Sequence, residues 1–212
     1  MNGLIRRSFR HLDIPTFLPL YKSLVRTHLD YAASVYSPYR MKHIEAIESV
    51  QRRATKQVPM LKNLSYPERL NKLKLPTLAY RRVRGDLIEM FKISHNIYDS
   101  KVCTFVHMWK DSTLRSSTRT NNLKIFPQQA NSLLRQNSFQ LRVARTWNYL
   151  PNHIVNAPSL NSFKNRLDKF LNNHDLKYEN FKTTLQNRDM SAGRSIFFLD
   201  NLQDRDSSPE EP

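Results

Sequence analysis

Glycine is scarce in this chain: three residues among 212. Loops that cradle phosphate need close backbone approach, which glycine permits, and neither G-x-x-x-x-G-K nor G-x-G-x-x-G occurs. That argues against a P-loop or dinucleotide-binding site. Cysteine is scarcer still. Cys103 stands alone, so it can form no intrachain disulfide and no cysteine-built zinc site. Set among the apolar residues of 102–106, it reads as buried filler rather than a nucleophile. No apolar run reaches 18 residues, which argues against a membrane span. The opening Met1-Asn-Gly-Leu-Ile-Arg-Arg lacks the long apolar segment and cleavage site of a secretory signal. The expected location is nucleus or cytoplasm, not secretion. His11, His28, His43, His95, His107, His153 and His174 are scattered, with no H-E-x-x-H and no pair four apart. No G-x-S-x-G elbow suggests a hydrolase. Neither a metal nor a cofactor is expected.

What the chain has in excess is positive charge: net +16, with a pI of about 10.2. Such a balance favours polyanion partners over a merely soluble basic protein. The charge is uneven. Residues 1–39 carry +3, residues 40–92 carry +8 from 13 Lys/Arg against 5 Asp/Glu, residues 93–174 carry +8, and residues 175–212 carry −3. The length allows one substantial core or two small ones.

Periodicity predicts a mostly α-helical fold. A helix opening at Pro15 aligns Phe17, Leu20, Tyr21, Leu24, Val25 and His28, with Lys22 and Arg26 pointing away. Tyr36-Ser37-Pro38-Tyr39 breaks it, because the residue before proline resists helical angles. A second helix, about 41–58, has a stripe of Ile44, Ile47, Val50, Ala54 and Val58. Ser65, Pro67 and Glu68 form a capping-box pattern that starts a short helix of about 67–72. The longest helix, opened by Pro76-Thr77 and running to about Tyr98, lines up Tyr80, Val83, Leu87, Met90, Phe91, Ile97 and Tyr98. Gly85 within it costs about 1 kcal/mol relative to alanine. Two uses are open: close helix–helix packing, or strain tolerance at a bend. Residues 109–138 read as an irregular connection, with Leu123-Lys-Ile-Phe126 as one short strand or part of a β-hairpin arm. Ser138 and Ser159 cap two closing helices, lined by Phe139, Val143, Trp147 and Leu150 and by Leu160, Phe163, Leu167 and Phe170. The organisation expected is a helical region over 1–108, the connection 109–138, C-terminal helices over 139–174, and an acidic, largely disordered tail over 175–212.

The basic residues of these helices are the candidate site: Lys42, Arg52, Arg53, Lys56, Arg81, Arg82, Arg84 and Lys92, with Arg142 and Arg145 further on. Two helices packed side by side would make of Arg52, Arg53, Lys56, Arg81, Arg82 and Arg84 a stripe that tracks a phosphate backbone, a contact that carries little sequence information. The plainer reading is a solvated face with weak salt bridges to Glu48 and Glu89, some arginines bonding helix C-terminal carbonyls. Trp147 fits a core position better than a base-stacking one, while Trp109 is undecided.

Several blocks carry a family resemblance. They are the run 20–31 (Leu-Tyr-Lys-Ser-Leu-Val-Arg-Thr-His-Leu-Asp-Tyr), Tyr36-Ser37-Pro38-Tyr39, the run 47–56 (Ile-Glu-Ser-Val-Gln-Arg-Arg-Ala-Thr-Lys) and the run 75–82 (Leu-Pro-Thr-Leu-Ala-Tyr-Arg-Arg). Arg142-Val-Ala-Arg-Thr-Trp-Asn-Tyr-Leu-Pro151 and Ala157-Pro-Ser-Leu-Asn-Ser-Phe-Lys164 follow. In order and spacing, from about Leu4 to Phe170, they resemble reverse transcriptases of non-LTR retrotransposons, chiefly the jockey and chicken-repeat-like groups. Tyr36 stands where the family often has tryptophan, and the tail after His174 matches nothing in it. The resemblance implies a thumb-like helical bundle that grips template–primer, followed by a C-terminal extension. The polymerase palm needs clustered carboxylates to hold two cations; no Asp-Asp pair occurs, and the contexts of Asp30, Asp86 and Asp99 do not match. The upstream endonuclease domain of the family is also missing. The expected protein is a truncated fragment of an RNA-directed DNA polymerase. It would bind RNA and DNA, as hybrid or duplex backbone, with no catalysis of its own and no membrane partner. The alternatives are a protein-interaction remnant that self-associates through faces that once met the palm, and a non-functional gene model started at an internal methionine.

Overall fold

The computed structural model describes residues 3, 7–9, 12–99, 106, 108, 123–126, 128–172 and 177–178. Cys103, Trp109, the first part of the 109–138 connection and nearly all of the tail lie outside them. The fold is mostly α-helical, and the described residues include no β-strand beyond an isolated antiparallel bridge between Met108 and Ile125. The chain packs into two compact units: residues 1–86 with 168–189, and residues 87–167 with 190–212. The division falls inside the longest helix rather than at the expected 108.

In the first unit, α1 (Ile14–Leu20) starts at Asp13, whose side chain accepts from the Thr16 N–H at 3.2 Å, with Pro15 in the first turn. Pro19 lacks an N–H and crowds the preceding turn; beyond it, Tyr21–Arg26 winds as a wider π-helix before α2 (Thr27–Asp30). The hydroxyls of Ser23 and Thr27 donate to the carbonyls of Pro19 (2.8 Å) and Ser23 (2.6 Å). Phe17, Tyr21 and Val25 are buried, whereas His28 is exposed.

After the turn 31–35 come α3 (Met41–Thr55), a 3-10 turn (Pro59–Leu61) and α4 (Tyr66–Leu73). The capping box forms as the sequence indicates: the Glu68 carboxylate accepts from the Ser65 N–H at 2.8 Å and its hydroxyl at 2.7 Å. Lys74, in the left-handed region at φ 51°, closes the helix. Thr77 opens α5 (Leu78–Ser94), its hydroxyl accepting from Tyr80 N–H, while its own N–H donates to the Lys177 carbonyl at 3.1 Å. Tyr178 packs against the core of this unit, which includes Phe17, Tyr21, Val25, Leu61 and Leu70. Ile97 and Tyr98, expected in the α5 stripe, lie past the helix end and are exposed. A Cβ at Gly85 would meet nothing within 4 Å, so close helix packing does not explain this glycine.

The second unit holds the rest of α5, then α6 (Leu133–Gln136), α7 (Phe139–Tyr149), α8 (Asn152–Val155) and most of α9 (Leu160–Leu171). The short α6 and α8 have no counterpart in the periodicity. The core here is aromatic: Phe91 stacks on Phe163 (centroids 4.3 Å apart), and Trp147 leans on Phe163 at 6.0 Å. Trp147 is buried, and its indole N–H donates to the Leu123 carbonyl at 2.8 Å, which settles its place in the core. Asn148 satisfies both backbone groups of Ile125 at 2.8 Å each, standing in for a neighbouring strand. Ser159 caps α9 through the Ser162 N–H. Ser138 sits at the start of α7, but its hydroxyl turns back to the Arg135 carbonyl.

Candidate nucleic-acid interface

Which cations reach solvent depends on how α3 is rotated, and its rotation is fixed from inside. Glu48, Gln51 and Thr55 are buried beside Ala54 and Val58 of the expected stripe, while Ile44, Ile47 and Val50 of that stripe are only partly so. The inward face is therefore turned toward a polar network. Tyr21 donates to Gln51 Oε1 at 2.5 Å, and Gln51 Nε2 donates to the Tyr66 hydroxyl and the Pro76 carbonyl, both at 3.1 Å. Tyr66 in turn donates to Glu48 Oε1 at 2.5 Å, and Glu48 Oε2 accepts the Leu78 N–H at 3.0 Å. That N–H opens α5, where a carboxylate also complements the helix dipole. Every member has a partner, as a buried polar network must. Burial raises the Glu48 carboxyl, opposed by the bonds from Tyr66 and Leu78. Burial and the Glu48 charge push the Tyr66 hydroxyl strongly up.

With that face inside, Lys42, Arg53 and Lys56 stand on the opposite side of α3, all three exposed. From Lys42 to Lys56 the helix rises about 20 Å at 1.5 Å per residue. Arg53 Nε reaches back only to the Ser49 carbonyl at 3.4 Å. Arg52 is half-buried, its guanidinium 5.2 Å from the Tyr66 ring centroid. Cations in the last turn also suit the negative end of the helix dipole.

The basic residues of α5 are placed differently. Arg81 holds Asp30 through Nε at 3.1 Å and Nη2 at 2.6 Å. Arg84 holds Asp168 at 2.5 and 2.8 Å, a pairing that raises the guanidinium further. Arg82 donates to the Leu29 carbonyl in the last turn of α2 at 2.9 Å, and burial lowers its basicity. Lys92 bonds Glu89 at 2.8 Å and the Tyr98 hydroxyl at 3.0 Å. Arg142 is buried, against the Phe139 ring and the Asn137 carbonyl, while Arg145 of the same helix is exposed.

The ten candidates thus part into outward-facing cations (Lys42, Arg53, Lys56, Arg145) and cations with protein partners. Of the two carboxylates expected to bridge them, Glu89 takes Lys92, whereas Glu48 is turned into the core. Sequence reasoning did not single out Arg69, which is buried, bonds Thr55 and the Leu64 carbonyl, and lies 5.7 Å from the Tyr66 ring centroid. Nor did it find Asp30 and Asp168 as partners, 51 and 84 residues from their arginines. Among the described residues no group of three His, Cys, Asp or Glu could hold a metal ion, and no helix is long and apolar enough to cross a membrane. Comparison of the chain with family models, curated proteins and solved structures gives no match.

Proposed function

We propose that this chain binds the phosphate backbone of an RNA–DNA hybrid or a duplex, as a non-catalytic, thumb-like part of a non-LTR retrotransposon reverse transcriptase. The observation that carries the reading is the outer face of α3, where Lys42, Arg53 and Lys56 share one solvent-facing side. The net charge of +16 and the ordered sequence blocks of the family support it. Contact with phosphates alone would make binding strong in low salt, steeply salt-dependent and indifferent to base sequence. The sequence has no Asp-Asp pair of the kind a polymerase palm uses for metal-assisted phosphoryl transfer, and the reading assigns the chain binding rather than a catalytic step. The test is affinity for a labelled RNA–DNA hybrid and for duplex DNA across a salt series. A steep fall of log affinity with log salt, shared by unrelated sequences, is the expected result. Binding that is weak and flat in salt would overturn the reading.

A further inference from the structure

Between α2 and α3 the chain puts three large apolar side chains into water within six residues: Tyr31 is 82 %, Val35 83 % and Tyr36 64 % exposed. Single exposed apolar residues need no explanation, but a cluster of them marks a contact surface. This one is held in shape. Tyr36 and Val35 both donate their N–H to the Ala32 carbonyl, at 2.7 and 3.0 Å, and Ala33 donates to Asp30 at 3.2 Å. Ala32 is kept in the left-handed region at φ 49°, a conformation that disfavours any side chain. The tyrosines are therefore presented by a closed turn.

Charge says what they are presented to. Between residues 26 and 42 the one carboxylate is Asp30, and Arg81 and Arg26 already engage it. Arg40 and Lys42 are exposed and form no ion pair with any described residue; the Arg40 guanidinium lies 5.8 Å from the Tyr39 ring centroid. Exposed tyrosines beside uncompensated cations suit unpaired bases, whose faces are free to stack while their phosphates meet the cations. A duplex offers no such faces.

We infer that the 31–36 turn is a stacking platform for single-stranded nucleic acid, with Tyr31 and Tyr36 taking bases and Arg40 and Lys42 the adjoining phosphates. It rests on the nucleic-acid reading above and adds a second, single-strand contact to it. The test is fluorescence anisotropy with a 12-nucleotide oligouridylate and with a blunt RNA–DNA hybrid. It uses the full chain, Tyr31→Ala/Tyr36→Ala and Tyr31→Phe/Tyr36→Phe, all with matched thermal midpoints. The alanine pair should lose about 10-fold or more in single-strand affinity, keep hybrid affinity within about twofold, and be rescued by the phenylalanine pair. Equal single-strand affinity in the alanine pair would overturn the platform while leaving hybrid binding, and so the α3 reading, standing. Loss in the phenylalanine pair as large as in the alanine pair would overturn stacking in favour of a hydroxyl contact. Tyrosine-dependent single-strand binding without any hybrid binding would keep the platform and sink the backbone reading. Loss of self-association with no change in oligonucleotide binding would make the turn a protein contact and overturn the inference.

Discussion

On α3 Lys42, Arg53 and Lys56 are exposed, whereas on α5 Arg81, Arg84 and Lys92 each pair with a carboxylate of the same chain. In the sequence the two stretches look alike, both amphipathic and both dense in arginine. The difference comes from what lies within reach after folding. Asp30 arrives at Arg81 from α2 and Asp168 at Arg84 from α9, so the α5 guanidiniums pin helices together. Glu48, four residues before Arg52 on α3, is taken inward by Tyr66 and Leu78. Charge density along a chain is thus a poor guide to charge that a ligand can use, because local carboxylates and distant ones are spent differently.

The contrast predicts a hierarchy of effects. The largest lies on the inner face of α3. Gln51→Ala strands the Tyr21 hydroxyl and the Pro76 carbonyl in the interior, and should cost about 2–3 kcal/mol, read by urea unfolding. A cost under about 0.5 kcal/mol would mean that the network does not hold α3 in place. On α5, Arg81→Gln and Arg84→Gln each break a partly exposed two-point ion pair and should cost about 1 kcal/mol. The same assay checks them, and no cost would show those cations to be as free as the ones on α3.

Gly85→Ala should stabilise the protein by up to about 1 kcal/mol, since the added methyl meets nothing and the helix gains propensity. A lowered thermal midpoint would show a need for glycine that the packing does not reveal. The subtlest effect is in pH. Burial raises the Glu48 carboxyl above the ordinary glutamate value near 4.3. Its contribution to stability is then full below about pH 4.3 and is lost as pH rises through the folded value. Relative to Glu48→Gln, which does not titrate, the native chain should lose stability from about pH 4.3 toward neutrality. A pH-independent difference between the two would contradict this.

Local features were legible in the sequence. The Ser65–Glu68 capping box and the buried Trp147 depend on near neighbours or on helical period, and the structure has them, whereas the first helical stretch ends at Asp30, before the expected break at Tyr36-Ser37-Pro38. The inward face of α3 was legible only in part: Ala54 and Val58 of the expected stripe are buried. Period alone selected Ile44, Ile47 and Val50, because Glu48 and Gln51 read as polar until Tyr21 and Tyr66 arrive to satisfy them. The same reasoning separates the site residues. Lys42, Arg53 and Lys56 fall opposite the stripe under either rotation, while the fates of Arg81, Arg82 and Arg84 rest on partners more than 50 residues away.

The measurement closest to the centre of this account is the salt dependence of hybrid binding for two variants side by side. Lys42→Gln/Arg53→Gln/Lys56→Gln should keep its stability and lose about 2–3 from the magnitude of the log-log salt slope. Arg81→Gln/Arg84→Gln should lose stability and, measured where it remains folded, keep the slope. The reverse pattern, or equal slopes in both variants, would contradict the claim that α3 rather than α5 meets the phosphates.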